Sequence, residues 1–354
     1  AGIGLIGGSG FVTAVVAQVG LARLADRGHA RALLNFGLVT AAFAMWVLTQ
    51  ADSLWEFVAG RLLLGLGEGA FVPAARRTVI VTAGSNAGAA LGRLNAFQLA
   101  GFLVGPVFGS AVFELAGLRA VFWTSLVMIL ACVPLVARIR MPAAIEAPAP
   151  RVLRRLIARR GMHAMICVAV GYYGSFGLFE AIWALHLADL GASQLFIGLN
   201  FTLFALPMLL IAPIGGRFAM HHGAMRVTLL AMGATIPFIA SYGFWESAAV
   251  LTCVMMTQAI ADAVIMPASQ LAVAEVSGDD IAAGQGLFGA CGLAVAAGVA
   301  FGGGAAYGAY GAGVVFAGYA CVMVLTLLAA SWLGRGQLRA ALSPTASPDL
   351  PISG

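Results

Sequence analysis

The chain contains no lysine, and only 9% of its 354 residues are charged. Soluble domains carry roughly a quarter charged residues, so a chain this poor in charge is not built to fold in water. All 19 basic residues are arginine, and without lysine there is no GxxxxGK[ST] phosphate loop, which excludes ATP-driven pumping by this chain. The five cysteines, Cys132, Cys167, Cys253, Cys291 and Cys321, stand singly in apolar runs without CxxC or CxxH spacing. They read as small buried hydrophobes rather than metal ligands or disulfide partners. The formal charge of +5 is not gathered into a basic stripe with interleaved aromatics, so nucleic acid is not an expected partner. The five histidines, His29, His163, His186, His221 and His222, show neither zinc-protease nor acyltransferase spacing. That argues against an integral membrane enzyme, and no metal or cofactor is expected.

What the chain has in abundance is apolar length, with 61% hydrophobic residues and a mean hydropathy of +0.98. A helix needs about 20 apolar residues to cross roughly 30 Å of hydrocarbon. Such runs predict spans at 2–22, 32–50, 54–75, 90–114, 118–138, 162–187, 194–217, 226–245, 247–270, 281–304 and 312–333, eleven in all. This is an all-α integral membrane protein. Arginine sets its orientation, because cytoplasmic loops accumulate basic residues. One set of loops holds Arg23, Arg27 and Arg31, then Arg76, Arg77 and Arg93, then the arginines from 138 to 160, then Arg217 and Arg226, then Arg335 and Arg339. The alternate loops hold Asp52, Glu56, Glu114, Asp189 and Glu246 against a single Arg119. The carboxyl terminus is therefore expected in the cytoplasm, with the protein multi-pass in the cell membrane.

Composition divides the chain into a bundle at 1–140, a cytoplasmic linker at 141–161, a second bundle at 162–334 and a Pro/Ser-rich, disordered tail at 335–354. The linker leads from a Pro/Ala stretch into Arg151, Arg154, Arg155, Arg159 and Arg160, with spacing that suits a short amphipathic helix on anionic headgroups.

Three patterns carry a family resemblance. ARLADRGHAR, 22–31, follows the first span; GRLLLGLGEGA, 60–70, lies in the third; GFLVGPVFG, 101–109, lies in the fourth. Together they resemble the major facilitator superfamily. The first is similar to its G-x-L-A-D-R-x-G-R-R loop, with Asp26, Arg27 and Arg31 matching and Ala22, His29 and Ala30 departing. The second is similar to R-x-x-x-G-x-G, and the resemblance gives Arg61 a part in proton coupling. The third matches G-x-x-x-G-P-x-x-G through Gly101, Gly105, Pro106 and Gly109, a pattern the family associates with exporters that exchange substrate for protons. Three glycines spaced by four make a smooth ridge for close helix contact, and Pro106 removes a backbone donor. A worn second copy of the loop, GGRFAMHHGAMRV at 215–227, carries Met220 where the acid would stand. The resemblance implies two pseudo-symmetric bundles with about 11 of 12 helices present. Because the LADR loop follows the first span here and the second in the family, the first family helix is expected to be missing.

Physically, Asp26, Arg27 and Arg31 would form a latch that breaks as the halves rock. Arg61 inside a span costs roughly 2.5–3.5 kcal/mol on the insertion scale, so it should face a partner or an aqueous cavity. Glu68 is seven residues on, about 10 Å away on the same helix face. Glu180 and Asp262 are the acids inside spans of the second half, and Tyr172, Tyr173 and Trp183 flank Glu180. Acids beside aromatics suit an amphipathic or cationic organic ligand. Arg76 and Arg77 stand where several relatives place an acid, so any coupling network is rewired. The resemblance implies a monomeric secondary transporter that exports a small organic compound against protons by alternating access. The alternative is proton-coupled uptake or facilitated diffusion of a nutrient such as a sugar or organic acid.

Overall fold

The computed structural model describes residues 2–24, 29–83, 87–139 and 150–340. They form α1 (Gly2–Leu24), α2 (Ala30–Gln50), α3 (Leu54–Ala83), α4 (Ala87–Ala116), α5 (Leu118–Ala137), a short α6 (Pro150–Ile157), α7 (Arg160–Asp189), α8 (Gln194–His222), α9 (Ala224–Ser241), α10 (Ala248–Ser277), α11 (Ile281–Leu333) and α12 (Arg335–Ala340). No strand occurs among the described residues. Nine helices among them are long and apolar enough to cross a membrane. The 30-residue helices reach about 45 Å at 1.5 Å per residue, longer than the hydrocarbon is thick.

α11 is the one element that length alone misdescribes. It is helical except at Gly311, whose backbone (φ 78°, ψ 173°) departs from the helix. Both arms lie on α7. Gly292 abuts Tyr173, Gly303 abuts Leu178 and Tyr307 reaches His186, so the first arm runs parallel to α7. Phe316 packs on Trp183 and the Tyr319 hydroxyl donates to the Val170 carbonyl at 2.7 Å, so the second arm runs back. The two spans expected at 281–304 and 312–333 are these arms, joined by more helix than the glycine-rich sequence suggests.

Local chemistry sets the other boundaries. Glu56 accepts from the Asp52 and Ser53 amides at 2.7 and 2.9 Å, one side of a capping box that starts α3. Ser193 caps α8 through the Phe196 amide at 3.2 Å. Gly117, Gly191, Gly223 and Gly278 adopt positive φ where successive helices meet.

The two bundles are held differently. In the first, α3 packs on its neighbours backbone to backbone. A Cβ at Gly65 would strike the Gly10 carbonyl of α1, and one at Gly69 would strike Ala14. Gly37 of α2 and Gly67 of α3 face each other, a Cβ on either falling 2.7 or 2.8 Å from the other's carbonyl oxygen. Small residues permit the close approach that dispersion needs when lipid supplies no hydrophobic drive. The second bundle instead interlocks large side chains, with Met165, Ile182, Trp183, Tyr242 and Phe316 all fully buried. α6 belongs to that core: Leu156 is buried, Arg155 pairs with Asp280, and Arg159 donates to the Val276 carbonyl at 2.6 Å. The expected amphipathic linker helix is thus docked on the ends of α10 and α11, not only on headgroups.

Gly67→Val should separate α2 from α3 and cost about 1–3 kcal/mol, as overpacking does. Thermal unfolding in detergent measures it, with Gly20→Ala, where a Cβ meets open space, expected to leave the midpoint unchanged or slightly raised.

Candidate functional site

Between the bundles lies a cavity of about 510 Å³. α1 and α3 line one side with Phe11, Arg61, Leu64 and Glu68, and α4 adds Phe102. The other side is α7, α8 and α10, with Tyr172, Tyr173, Phe176, Phe179, Glu180, Phe201, Phe204 and Met255. Helical periodicity explains the α7 wall: 172, 173, 176, 179, 180 and 183 recur at three and four, so one face carries them all.

Three charged side chains, Arg61, Glu68 and Glu180, line this cavity. Arg61 Nη2 donates to Glu180 Oε1 at 3.1 Å across the bundles, with the two side chains 29% and 43% exposed. The Arg61 Nε also points at the Ile6 carbonyl, 3.4 Å away. Glu68 lines the same cavity on Arg61's own helix face. The intramembrane arginine therefore has both a carboxylate partner and a cavity to face. Other hydrogen bonds between the bundles include Thr202 to the Leu103 carbonyl at 2.6 Å and the Leu195 amide to Glu114 at 2.9 Å. All three contacts lie in the half of the molecule nearer the acid-bearing loops.

The aromatic wall is a continuous assembly. Tyr172 meets Phe176 edge-on with centroids 5.1 Å apart, Phe179 lies 4.6 Å from Trp183, and Phe179 stacks with Phe204 at 5.9 Å. Behind it runs a polar chain that fixes the wall: Trp183 Nε1 donates to Asn200 Oδ1 at 2.7 Å, and Asn200 Nδ2 donates to the Thr252 hydroxyl at 2.7 Å. Trp183 is fully buried, so it backs the cavity rather than offering its ring freely.

Asp262 is placed differently from the sequence expectation. It is 3% exposed, is not among the cavity's lining residues, and accepts from Gln258 Nε2 at 2.8 Å inside the second bundle. Gln258 in turn accepts from the Tyr242 hydroxyl. An α-helical periodicity puts an acid on some face of α10 but does not say which face the cavity takes. The glycine ridge of α4 is also a correction. A Cβ at Gly101 or Gly105 would meet nothing within 4 Å, and Gly109 has only Val121 at 3.9 Å, so no close helix contact uses them among the described residues. The α4 contact that does form runs through Pro106 and Ser110, against which Gly198 of α8 is pressed. Of the latch, Asp26 and Arg27 lie outside the described residues. Arg31 donates to the Ile139 carbonyl at 2.8 Å, tying α2 to the end of α5. Phe11, Phe176, Phe179, Phe201, Phe204 and Met255 were not singled out by sequence, since apolar residues facing a cavity and facing lipid look alike.

Residues 1–179 match the family model described as Major Facilitator Superfamily. Multidrug resistance protein MdtG of Yersinia enterocolitica is 32% identical over 130 residues, 36% of this chain and 31% of that protein. MdtG of Serratia proteamaculans is 31% identical over 130 residues, with the same shares covered. The matched stretch thus spans about a third of the length of these curated relatives. Among solved structures, a mutant of the nucleoside transporter NupG superposes with a TM-score of 0.78 at 15% identity, over 94% of this chain and 90% of that one. At that identity the likeness is one of fold.

Asn200→Leu should strand the Trp183 and Thr252 partners and cost about 1–3 kcal/mol, the price of a buried unsatisfied group. Thermal unfolding reads it out, against Thr257→Val, an exposed hydroxyl bonded only within its own helix, which should change little.

Proposed function

Because the chain belongs to the Major Facilitator Superfamily, we propose that it is a secondary active transporter that exports an amphipathic or cationic organic compound in exchange for protons. The observation that carries this reading is the Arg61–Glu180 ion pair, which spans the two bundles at the wall of a largely apolar, aromatic-rich cavity. A cationic substrate entering that cavity competes with Arg61 for Glu180. Pairing with Glu180 releases the clasp between the bundles and lets the acid-bearing ends part. Once the substrate leaves, proton uptake by a carboxyl prevents the substrate's return in the same state, and loss of that proton on the opposite side restores the pair with Arg61. Each substrate cation is thus exchanged for a proton at one set of carboxylates. The aromatic wall supplies ring faces for the apolar part of the substrate.

The lining also bears on the alternative of nutrient uptake. Its polar side chains are Arg61, Glu68, Glu180, Tyr172 and Tyr173, against sixteen others that are apolar or glycine. A sugar needs a hydroxyl partner at nearly every carbon, and an organic acid needs more positive than negative charge. Neither requirement suits this surface. The MdtG relatives, multidrug resistance proteins by name, support the same direction. Arginine-rich loops on one side support a cytoplasmic carboxyl terminus in the cell membrane.

In proteoliposomes, Glu180→Gln and Glu68→Gln are expected to lower proton-driven exchange of tetraphenylphosphonium by at least about tenfold, equivalent to about 1.4 kcal/mol. Asp262→Asn keeps the bond to Gln258 and should retain the proton dependence. Wild-type proton dependence in both glutamate variants would sink the coupled-export reading, and loss of it in Asp262→Asn alone would move the coupling site into the second bundle.

A further inference from the structure

The second copy of the inter-helix loop, 215–227, has no place in the mechanism above. With Met220 where its counterpart has Asp26, it holds Arg217, His221, His222 and Arg226 and no acid. Arg217 and Arg226 are both exposed, and among the described residues neither pairs with a carboxylate. A cationic cluster without its own counter-charge is electrostatically incomplete, and at a membrane surface the nearest abundant anion is a lipid phosphate.

Immediately beside these arginines, on the outer surface of the second bundle, is a groove of about 410 Å³ between α8, α9 and α10. It is lined by Phe218, Val227, Leu230, Ala231, Thr257, Ile260, Ala261 and Val264, and only Thr257 brings a polar group. The Thr257 hydroxyl donates its proton to the Cys253 carbonyl at 2.9 Å, so the groove offers a polar ligand no side-chain donor and only that one oxygen as an acceptor. A cavity of about 150 Å³ with apolar walls already holds a benzene ring, so this one has room for a longer hydrocarbon. Its rim residues Phe218, Leu230 and Ile260 are 49%, 63% and 49% exposed, so it opens sideways into the bilayer.

Groove and arginines are in register. Arg226 is four residues before Leu230, hence on the same face of α9, and Arg217 stands at the same end of α8, within a turn of Phe218. His222 is four residues after Phe218 and stacks on its ring at 4.1 Å, with its Nδ1–H donated to the Phe218 carbonyl at 3.0 Å. The groove thus runs from mid-helix toward the arginine-bearing end and stops beneath the cations. One acyl chain along it would bring its own phosphate to Arg226 and Arg217. We propose that this surface is a binding site for an anionic phospholipid of the arginine-side leaflet, one chain in the α8–α9–α10 groove and the headgroup phosphate on Arg226 and Arg217. The site rests on the membrane location of the chain and not on what it transports.

Native mass spectrometry of the whole chain, extracted from bilayers of equal phosphatidylglycerol and phosphatidylcholine, tests this. Wild type should retain phosphatidylglycerol in excess. Arg226→Gln should lower that excess about fivefold, the value of one basic residue at a charged surface, and Arg217→Gln/Arg226→Gln should lower it further. Arg138→Gln, an exposed arginine at the same end of the molecule but in the first bundle, should leave it unchanged. Ala261→Trp, which fills the groove, should abolish retention of either lipid. Undiminished phosphatidylglycerol retention in the double arginine variant overturns the proposal, as does its displacement by soluble glycerol phosphate, which would mean a headgroup site without a chain. Should Ala261→Trp not fold, the arginine variants, both on the exposed surface, decide the matter.

Discussion

Hydrocarbon offers no hydrogen-bond partner, and that single constraint organises the molecule. Backbone amides inside the bilayer must be satisfied by protein, most simply within their own segment, so the spanning elements are helices, with charge confined to their ends, to a cavity or to the protein interior. The same rule explains the polar chains inside the second bundle. Trp183, Asn200 and Thr252 satisfy one another, and Asp262 is held by Gln258, because all of them are buried in the bundle. It also explains how prolines survive inside α3, α4, α5, α8, α9 and α10: neighbouring helices, side chains and local backbone adjustment can satisfy the groups they free.

With the hydrophobic effect unable to drive helix against helix, each bundle finds a different substitute. The first brings backbones together at Gly37–Gly67 and Gly65–Gly10, gaining dispersion from close approach. The second interlocks Trp183, Tyr242 and Phe316 and threads hydrogen bonds between them. The α7 helix, embraced by both arms of α11, is consequently a rigid wall, and the residues it turns toward the cavity are fixed in their spacing. The charges are divided between the two faces, Arg61 and Glu68 on the glycine-packed side and Glu180 on the aromatic wall, so the ion pair joins the two kinds of packing.

Much of this was legible in the sequence because the bilayer imposes length and charge rules that survive without any tertiary knowledge. The spans follow from apolar runs, and Arg61, Glu68 and Glu180 stand out because charge within such runs is costly. What was not legible is which charge meets which. Arg61 and Glu180 are 119 residues apart in the chain, and only the docking of α3 against α7 brings them to 3.1 Å. Asp262 and Glu180 are indistinguishable as intramembrane acids, yet one is sealed behind the wall and the other is in the cavity. The glycine ridge at 101, 105 and 109 fails for a related reason: spacing reports that a smooth face exists, not that a helix occupies it. The residues of α4 that meet α8 closely are Ser110, through its side chain, and Pro106, through a carbonyl no side-chain pattern advertises.

The partial exposure of the Arg61–Glu180 pair is itself a mechanistic argument. Exposed ion pairs are worth about 0–1 kcal/mol, whereas breaking a fully buried pair leaves a stranded charge at a cost of about 3–5 kcal/mol. A clasp of the second kind would hold the bundles in one arrangement, since an incoming cation would have to repay that cost before any movement began. In the proposed exchange, a clasp open to the cavity gives way to a cation or a proton with a small net change in free energy. The apolar surround raises the cost of leaving either charge alone, so the exchange is compulsory without being steep. Asp262, sealed and hydrogen-bonded to Gln258, lacks that access, which makes its position in the second bundle suited to holding α10 in place and unsuited to trading partners within the cavity.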